Sequence, residues 1–367
     1  MGVVFFFSLI ALLLTVLDSR QTLKNGMKYA FFIVTIISAI RYNYGNDYVG
    51  YLDDFTLIGK YSISDIIFLQ EKMQFIDSAF KDIGAAILYR ICKPIGFIGF
   101  IALITIFQGC VYYQFINENV PRKYYWLAVF IYLFDFNNYV LQMSMIRQAL
   151  VIALFVWSWH FIRQGKYLVP ILITLVSFTI HKSSIVLAPF VFLSMLSYKN
   201  GKVLTIVTLG LTGFFWLAAG TIGDMVGNVM DLELFQLYND SYAMEETGGI
   251  GMARLLLAFV PYLLVLVYFM KPQTKNGPRF LVFLSVVGTI ILPFSFVIAM
   301  MSRLTYYFNI FMVAAIPITL TSVRRPILRL VPAGIFMLLT LYQYFDLFLH
   351  SVYTKSYATF DSIFSAL

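Results

Sequence analysis

The sequence predicts an all-α, polytopic transmembrane helical bundle, and three observations carry that prediction. Hydrophobic residues make up 60% of the 367 positions and charged residues only 12%, and mean hydropathy is +0.83. The apolar residues also fall in long runs separated by short basic turns. A soluble domain does not have this composition, because so much apolar surface would have nowhere to leave water except a bilayer.

A spanning helix needs about 20 mostly apolar residues. Twelve segments reach or approach that length, centred on 2–18, 27–40, 95–116, 124–140, 145–161, 167–180, 183–197, 203–219, 252–270, 280–299, 303–320 and 330–348. Pro170, Pro189, Pro261 and Pro293 interrupt four of them, as spanning helices tolerate when neighbouring groups satisfy the freed backbone. The first run has no Lys or Arg before Arg20. It therefore lacks the basic flank of a cleavable signal and reads as a retained helix. Residues 1–348 form a single transmembrane domain on this reading, followed by a tail, 349–367.

Charge sets the orientation, because Lys and Arg stay on the cytoplasmic side. Six turns, at 20–28, 122–123, 163–166, 199–202, 271–279 and 324–329, hold fifteen of the 26 basic residues, with Asp18 and Glu118 as their only acids. The alternate loops and helix ends hold the other sixteen of the 18 acids. Both termini and the two longest loops then face outward. The net +8 is a topology signal, since the basic residues are scattered among tight turns; it is no nucleic-acid footprint.

The first long outward segment, 41–94, opens with Arg41-Tyr42-Asn43-Tyr44-Gly45-Asn46-Asp47-Tyr48-Val49-Gly50-Tyr51. Glycines allow tight turns, arginine forks onto phosphate, aspartate accepts a hydroxyl proton, and tyrosines stack on sugar rings. An interfacial aromatic belt with a snorkelling arginine has the same composition. Further on, Ile66, Leu69, Met73, Ile76 and Phe80 recur at helical spacing among Asp65, Glu71, Lys72 and Asp77, which predicts an amphipathic helix lying in the outer interface. The second segment, 220–250, is acidic and ends in Thr247-Gly248-Gly249-Ile250-Gly251, a composition that suits either a lid or a solvated connector.

Cations that break the positive-inside pattern mark candidate sites, because an arginine on the outward half of a helix is costly. Arg41 closes the second span, Arg147 opens the fifth beside Gln148, Arg254 opens the ninth and Arg303 opens the eleventh ahead of Tyr306 and Tyr307. His181 and Lys182 join them between the sixth and seventh spans. Each arginine taken alone also fits a lipid-phosphate anchor. Together, at one depth, they suit an anionic, lipid-borne substrate handled outside the membrane.

Other chemistries lack their residues. Cys92 and Cys110 form no CxxC pair, and His160 and His350 are placed far from His181, so neither a disulfide framework nor a metal site is indicated. There is no phosphate loop or dinucleotide fingerprint. Asp135 is the one candidate intramembrane carboxylate, which argues against a proton-coupled pump.

The ordered string Arg41-x3-Gly45-x-Asp47-x3-Tyr51, Ile146-Arg147-Gln148, His181-x-Ser183-Ser184 and Arg303-x2-Tyr306-Tyr307 resembles the EpsG family of exopolysaccharide and O-antigen (Wzy-type) polymerases. The likeness runs over most of the chain; the 220–250 loop, the tail and Arg254 fall outside it. It implies a GT-C-like bundle with an outward-facing cavity in the bacterial inner membrane. The implied activity is a metal-independent, cofactor-free glycosyltransferase that joins repeat units carried on undecaprenyl diphosphate. Its implied partners are those lipid-linked glycans, the bilayer, and a chain-length regulator and flippase of the same pathway. In that frame Arg147 and Arg303 clamp the diphosphate with Arg41 third, and His181 or Asp47 is the base. Gln148 and Lys182 bind substrate, and Tyr44, Tyr48, Tyr51, Tyr306 and Tyr307 line the sugar path. Arg254 joins the substrate-binding set from its helix-end position alone. An O-antigen ligase would use the same donor. A polyprenyl-phosphate-sugar transferase would use an acidic pair such as Asp53-Asp54. A lipid-linked oligosaccharide flippase would need charge through the membrane depth.

Overall fold

A computed structural model describes residues 2–73, 78–196, 200–230, 252–270, 277–293, 295, 302–323, 325–349, 356–357 and 359–364. Apart from one pair of two-residue strands, the regular structure is helical. Packing divides the chain into two units, Met1–Met195 with Tyr344–Leu367, and Leu196–Gln343.

In the first unit, α1 (Gly2–Ser19) and α2 (Gly26–Ala39) form a hairpin whose turn uses Gln21 and Asn25 at φ 62° and 63°. A Cβ on Gly26 would lie 2.2 Å from the Leu14 carbonyl oxygen, so the entry to α2 requires glycine. Asp18 locks this turn. One carboxylate oxygen accepts the Met27 N–H at 2.9 Å and the other pairs with Arg122 at 2.7 Å.

The segment 41–94 is more structured than the single amphipathic helix expected. After β1 (Arg41–Tyr42) come α3 (Tyr48–Ile58), α4 (Ile63–Met73), a 3-10 turn (Ser78–Phe80) and α5 (Ile83–Cys92). A capping box starts α4: Ser62 Oγ accepts the Asp65 N–H at 3.1 Å, and Asp65 Oδ2 accepts the Ser62 N–H at 3.1 Å. Ile66 and Phe80 of the predicted stripe are buried, whereas Ile67 and Phe68 point outward; Ile76 lies outside the described residues. Arg90 and Lys93 donate to the Tyr61 and Gly59 carbonyls past the end of α3, where cations meet the negative pole of the helix.

Next, α6 (Gly96–Asn119) passes close to α2, since a Cβ on Gly109 would meet Thr35 Oγ1 at 2.1 Å. The predicted span 124–140 breaks into α7 (Tyr125–Phe134) and α8 (Tyr139–Ser144). The cause is Asp135, whose Oδ1 accepts the Asn137 N–H at 3.1 Å and its Nδ2 at 2.9 Å, a local turn that competes with the helical ladder. Then follow α9 (Ile146–Ile162), α10 (Leu168–Ile180), a 3-10 turn over Lys182–Leu187, and α11 (Ala188–Leu193). Glu118 joins α6 to α9 by pairing with His160 at 2.8 Å and Arg163 at 3.2 Å.

The C-terminal tail returns to the opening of the 41–94 segment. β2 (Asp361–Ser362) pairs antiparallel with β1. The Ile40 carbonyl accepts the Ile363 N–H at 3.0 Å, and the Ser356 carbonyl accepts the Gly45 N–H at 3.1 Å.

The second unit contains α12 (Gly201–Met230), α13 (Met252–Phe269), α14 (Gly277–Ile291), α15 (Ser302–Asn309), α16 (Met312–Ser322) and most of α17 (Pro326–Leu349). The acidic loop expected at 220–250 is helical to Met230; from 231 to 250 it lies outside the described residues. Helices α15 and α16 meet at a 48° bend. Helices cover most of the twelve predicted spans. Among the described residues four candidate spans are long and apolar enough to cross a membrane, Gly2–Ser19, Ile83–Asn119, Gly201–Ala218 and Arg329–Leu349, and the bent pair makes a fifth.

Deleting residues 356–367 removes the strand partner of Arg41-Tyr42. The truncated protein should insert into membranes normally, yet be cleaved faster by chymotrypsin within 40–51 and melt several degrees lower in detergent; an unchanged cleavage pattern would refute the strap.

Candidate functional site

The site is organised by a residue outside the sequence-predicted set, Asp82. It occupies the N-cap position of α5, where an aspartate ordinarily accepts an N–H of its own helix, but its carboxylate makes no such bond. It turns instead toward α9 and the end of α10. Asp82 Oδ2 lies 3.4 Å from Arg147 Nη1 and 3.7 Å from His181 Nδ1, while Oδ1 accepts the Lys182 N–H at 3.3 Å. The side chain of Asp82 is 2% exposed, against 16% for Arg147 and 27% for His181. The carboxylate is thus the buried floor, and the Arg147 guanidinium and the His181 ring are the more accessible rim.

Local geometry follows from the sequence. Arg147 sits in the first turn of α9, directly after the α8–α9 break. His181 ends α10 with an extended backbone, φ −155° and ψ 106°, which swings its ring off the helix. Gly84 lets α5 approach α10: a Cβ there would lie 2.2 Å from Thr179 Oγ1 and 2.8 Å from the Thr179 carbonyl carbon. That close approach sets Asp82 against His181, two residues beyond Thr179.

Electrostatics agree with the geometry. Burial by itself raises the pKa of Asp82, but the nearby His181 ring, the Arg147 charge and the Lys182 N–H outweigh it and hold the carboxyl below its ordinary value. The Arg147 guanidinium lies 5.3 Å over the Tyr51 ring, a cation–π contact. Burial raises the Tyr51 phenol, with Arg147 opposing. Tyr89 on α5 is 1% exposed and its hydroxyl has no hydrogen-bond partner among the described residues; it lies within the electrostatic reach of Arg147 and Asp82.

The sequence-predicted residues divide accordingly. His181, Arg147 and the Lys182 backbone meet at Asp82, and Tyr51 joins them through the Arg147 guanidinium. Asp47 is close by: its N–H donates to Ser144 Oγ at 3.2 Å, its Oδ1 accepts the Asn46 amide at 3.1 Å, and its charge reaches Tyr51. Gly45, at φ 101°, packs against Ser144, where a Cβ would come within 2.9 Å of the serine Cβ. Gln148 is buried beside Arg147 in α9.

Arg41 belongs to a different group of contacts. It is 2% exposed and folds back on the end of α2, donating to the Ser38 carbonyl, to Ser38 Oγ at 3.2 Å and to Thr105 Oγ1 at 3.1 Å. A small polar cavity beside these partners is lined by Thr35, Gln108, Tyr139 and Gln142. Tyr44 and Tyr48 are buried against Tyr357, Phe360 and Phe97. In the second unit Arg303 and Tyr306 are partly exposed on α15 and Tyr307 is fully buried. Arg254 lies in the first turn of α13, its side chain outside the described residues.

Sequence reasoning missed Asp82 because 41–94 was read as a loop around one helix. The available signal was the run Asp82-Ile83-Gly84-Ala85-Ala86, an N-cap residue ahead of a small, apolar helix start.

Fold and site together define an all-α membrane protein with a paired arginine and histidine over a buried carboxylate. The EpsG family profile matches residues 27–359, and the chain belongs to this family of Wzy-type, polysaccharide-polymerase membrane proteins. Neither comparison with curated proteins nor comparison with solved structures finds a match.

Gly84→Ala should force α5 away from the Thr179 backbone, a clash of the overpacking kind that costs roughly 1–3 kcal/mol. The expected result is a lower melting temperature together with loss of activity, whereas Gly50→Ala, which meets open space, should leave both unchanged.

Proposed function

We propose that the chain is a metal-independent glycosyltransferase of the bacterial inner membrane. It polymerises oligosaccharide repeat units carried on undecaprenyl diphosphate into O-antigen, capsule or exopolysaccharide. The proposed topology is a GT-C-like bundle of twelve spans with both termini and the site outward. The observation that carries the reading is the meeting of Arg147 and His181 on one buried carboxylate in a member of a polymerase family.

The chemistry needs an electrophile handled as a diphosphate and a deprotonated sugar hydroxyl. The acceptor oxygen bonds to C1 of the donor sugar, and the C1–O bond to the diphosphate breaks with its electron pair leaving on phosphate. The hydroxyl proton passes to His181 Nε2, the ring nitrogen left free when Nδ1 faces Asp82. Arg147 neutralises charge developing on the departing diphosphate, the work that fixed guanidinium groups do in a water-poor site. Tyr51, beneath Arg147, holds that guanidinium in place and offers a ring for sugar stacking. Arg303 is a second arginine proposed for anion binding. His181 takes the role of base over Asp47 because its Nδ1 faces the buried Asp82 carboxylate, which orients the ring with Nε2 turned away from that partner, whereas the Asp47 carboxylate is engaged by the Asn46 amide.

A synthetic undecaprenyl-diphosphate repeat unit incubated with purified protein in detergent and EDTA should become a ladder of longer glycans. Arg147→Ala, Arg303→Ala and His181→Ala should each reduce the ladder by roughly 100-fold or more, with Asp47→Asn falling less than His181→Ala. Failure of wild type to extend the unit, with transfer to another acceptor or movement of the lipid across vesicles, would overturn the polymerase assignment.

A further inference from the structure

The carboxylate of Asp82 has three neighbours and a fixed orientation. The Lys182 N–H holds Oδ1 at 3.3 Å, so Oδ2 is the oxygen that Arg147 and His181 share. Its own helix makes no side-chain claim on it, although the N-cap position offers one. A buried aspartate that forgoes its capping bond and faces an arginine and a histidine from two other helices serves those side chains rather than α5.

One carboxylate oxygen shared by an anion clamp and a base makes the two interdependent. A diphosphate at Arg147 competes with Asp82, and with the charge of Asp54, for the guanidinium, and an Asp82 carboxylate released from Arg147 is free to turn toward His181. Negative charge at Nδ1 favours the imidazolium that His181 becomes when it takes a proton at Nε2. Binding of the donor therefore readies the base for the acceptor.

We propose that Asp82 is the positioning residue that couples donor binding at Arg147 to base strength at His181, the two side chains being joined through its Oδ2. This rests on the polymerase reading above and deepens it. No bond is made or broken at Asp82; the proton still passes from the acceptor hydroxyl to His181, and the leaving electron pair to the diphosphate.

The coupling predicts opposite effects on binding and turnover, which a merely structural aspartate would not produce. Asp82→Asn keeps the size and the oxygen facing Lys182 but removes the charge. Farnesyl diphosphate, used as a short-chain probe, should bind this variant roughly 10-fold more tightly, because a like charge beside an anion site is gone. Glycan extension at saturating lipid-linked repeat unit should drop about 10-fold to 100-fold, a share of what general-base catalysis supplies. Adding Asp82→Asn to His181→Gln should lower extension no further, since Asp82 acts through that histidine.

Asp82→Ser, which retains an N-cap oxygen, serves as the second variant and should show the same split. Weaker probe binding together with lost turnover in either folded variant would make Asp82 a scaffold residue and overturn the proposal. So would wild-type turnover in Asp82→Asn, or failure of both variants to fold. An Arg147→Ala protein that binds the probe and extends glycans like wild type would sink the polymerase site itself, an outcome separate from any result at Asp82.

Discussion

A carboxylate taken out of water must be met by donors or cations, and this requirement at Asp82 fixes three helices at once. The residue begins α5, its ion-pair partner Arg147 begins α9, and His181 ends α10. None of these helix ends is placed by apolar packing alone, since apolar surface has no preferred register in a bilayer. Gly84 supplies the approach between α5 and α10, and the pairing supplies the register. The arrangement also has polarity: the acid is covered and its partners are half-covered, so positive charge faces whatever enters.

The same rule operates where no chemistry is proposed, and the comparison is informative. Asp18 and Glu118, the two acids of the basic turns, also clamp helices. Asp18 ties the α1–α2 turn to Arg122, and Glu118 ties α6 to His160 and Arg163. Glu118 additionally accepts the Gln114 amide at 2.7 Å, and the other ring nitrogen of His160 lies 2.7 Å from the Gln164 amide. Both nitrogens of His160 are thereby engaged by the protein. At His181 only Nδ1 faces a carboxylate. A histidine that braces helices and a histidine offered to a substrate are told apart by the second nitrogen.

The helices legible in the sequence were those whose ends coincide with a change from apolar run to basic turn. Segments predicted at 2–18, 27–40, 145–161, 167–180 and 252–270 correspond closely to α1, α2, α9, α10 and α13. The break after α7 was written in Asp135-Phe136-Asn137-Asn138, a cluster of turn-forming residues that hydropathy averages away. The helices α3 and α5 were hidden because tyrosine and small residues dilute the helical period that a charged, solvent-facing helix displays. The strap formed by β2 could not be read at all: two residues pairing across nearly the whole chain leave no local pattern. Arg147, His181 and Tyr51 were legible as chemistry-bearing residues in unusual places, but Asp82, the partner that Arg147 and His181 share, was not, because only the packed α5 brings it to them.

Charge in an unexpected place therefore identifies candidates without ranking them, and the structure ranks by what each cation is paired with. Arg41 and Arg147 both stand at helix ends outside the basic turns. Arg41 is spent on the carbonyl end of its own helix and on two hydroxyls, partners that satisfy a guanidinium as a helix C-cap does. Its burial leaves little surface for an incoming phosphate. Arg147 has a carboxylate on one side, an aromatic ring on another and partial exposure, so its charge is held in place yet available to a ligand. An arginine that only anchored the protein to lipid headgroups would need neither the ring nor the acid. What separates a clamp from an anchor here is a buried anion that fixes the guanidinium and that a stronger anion can replace.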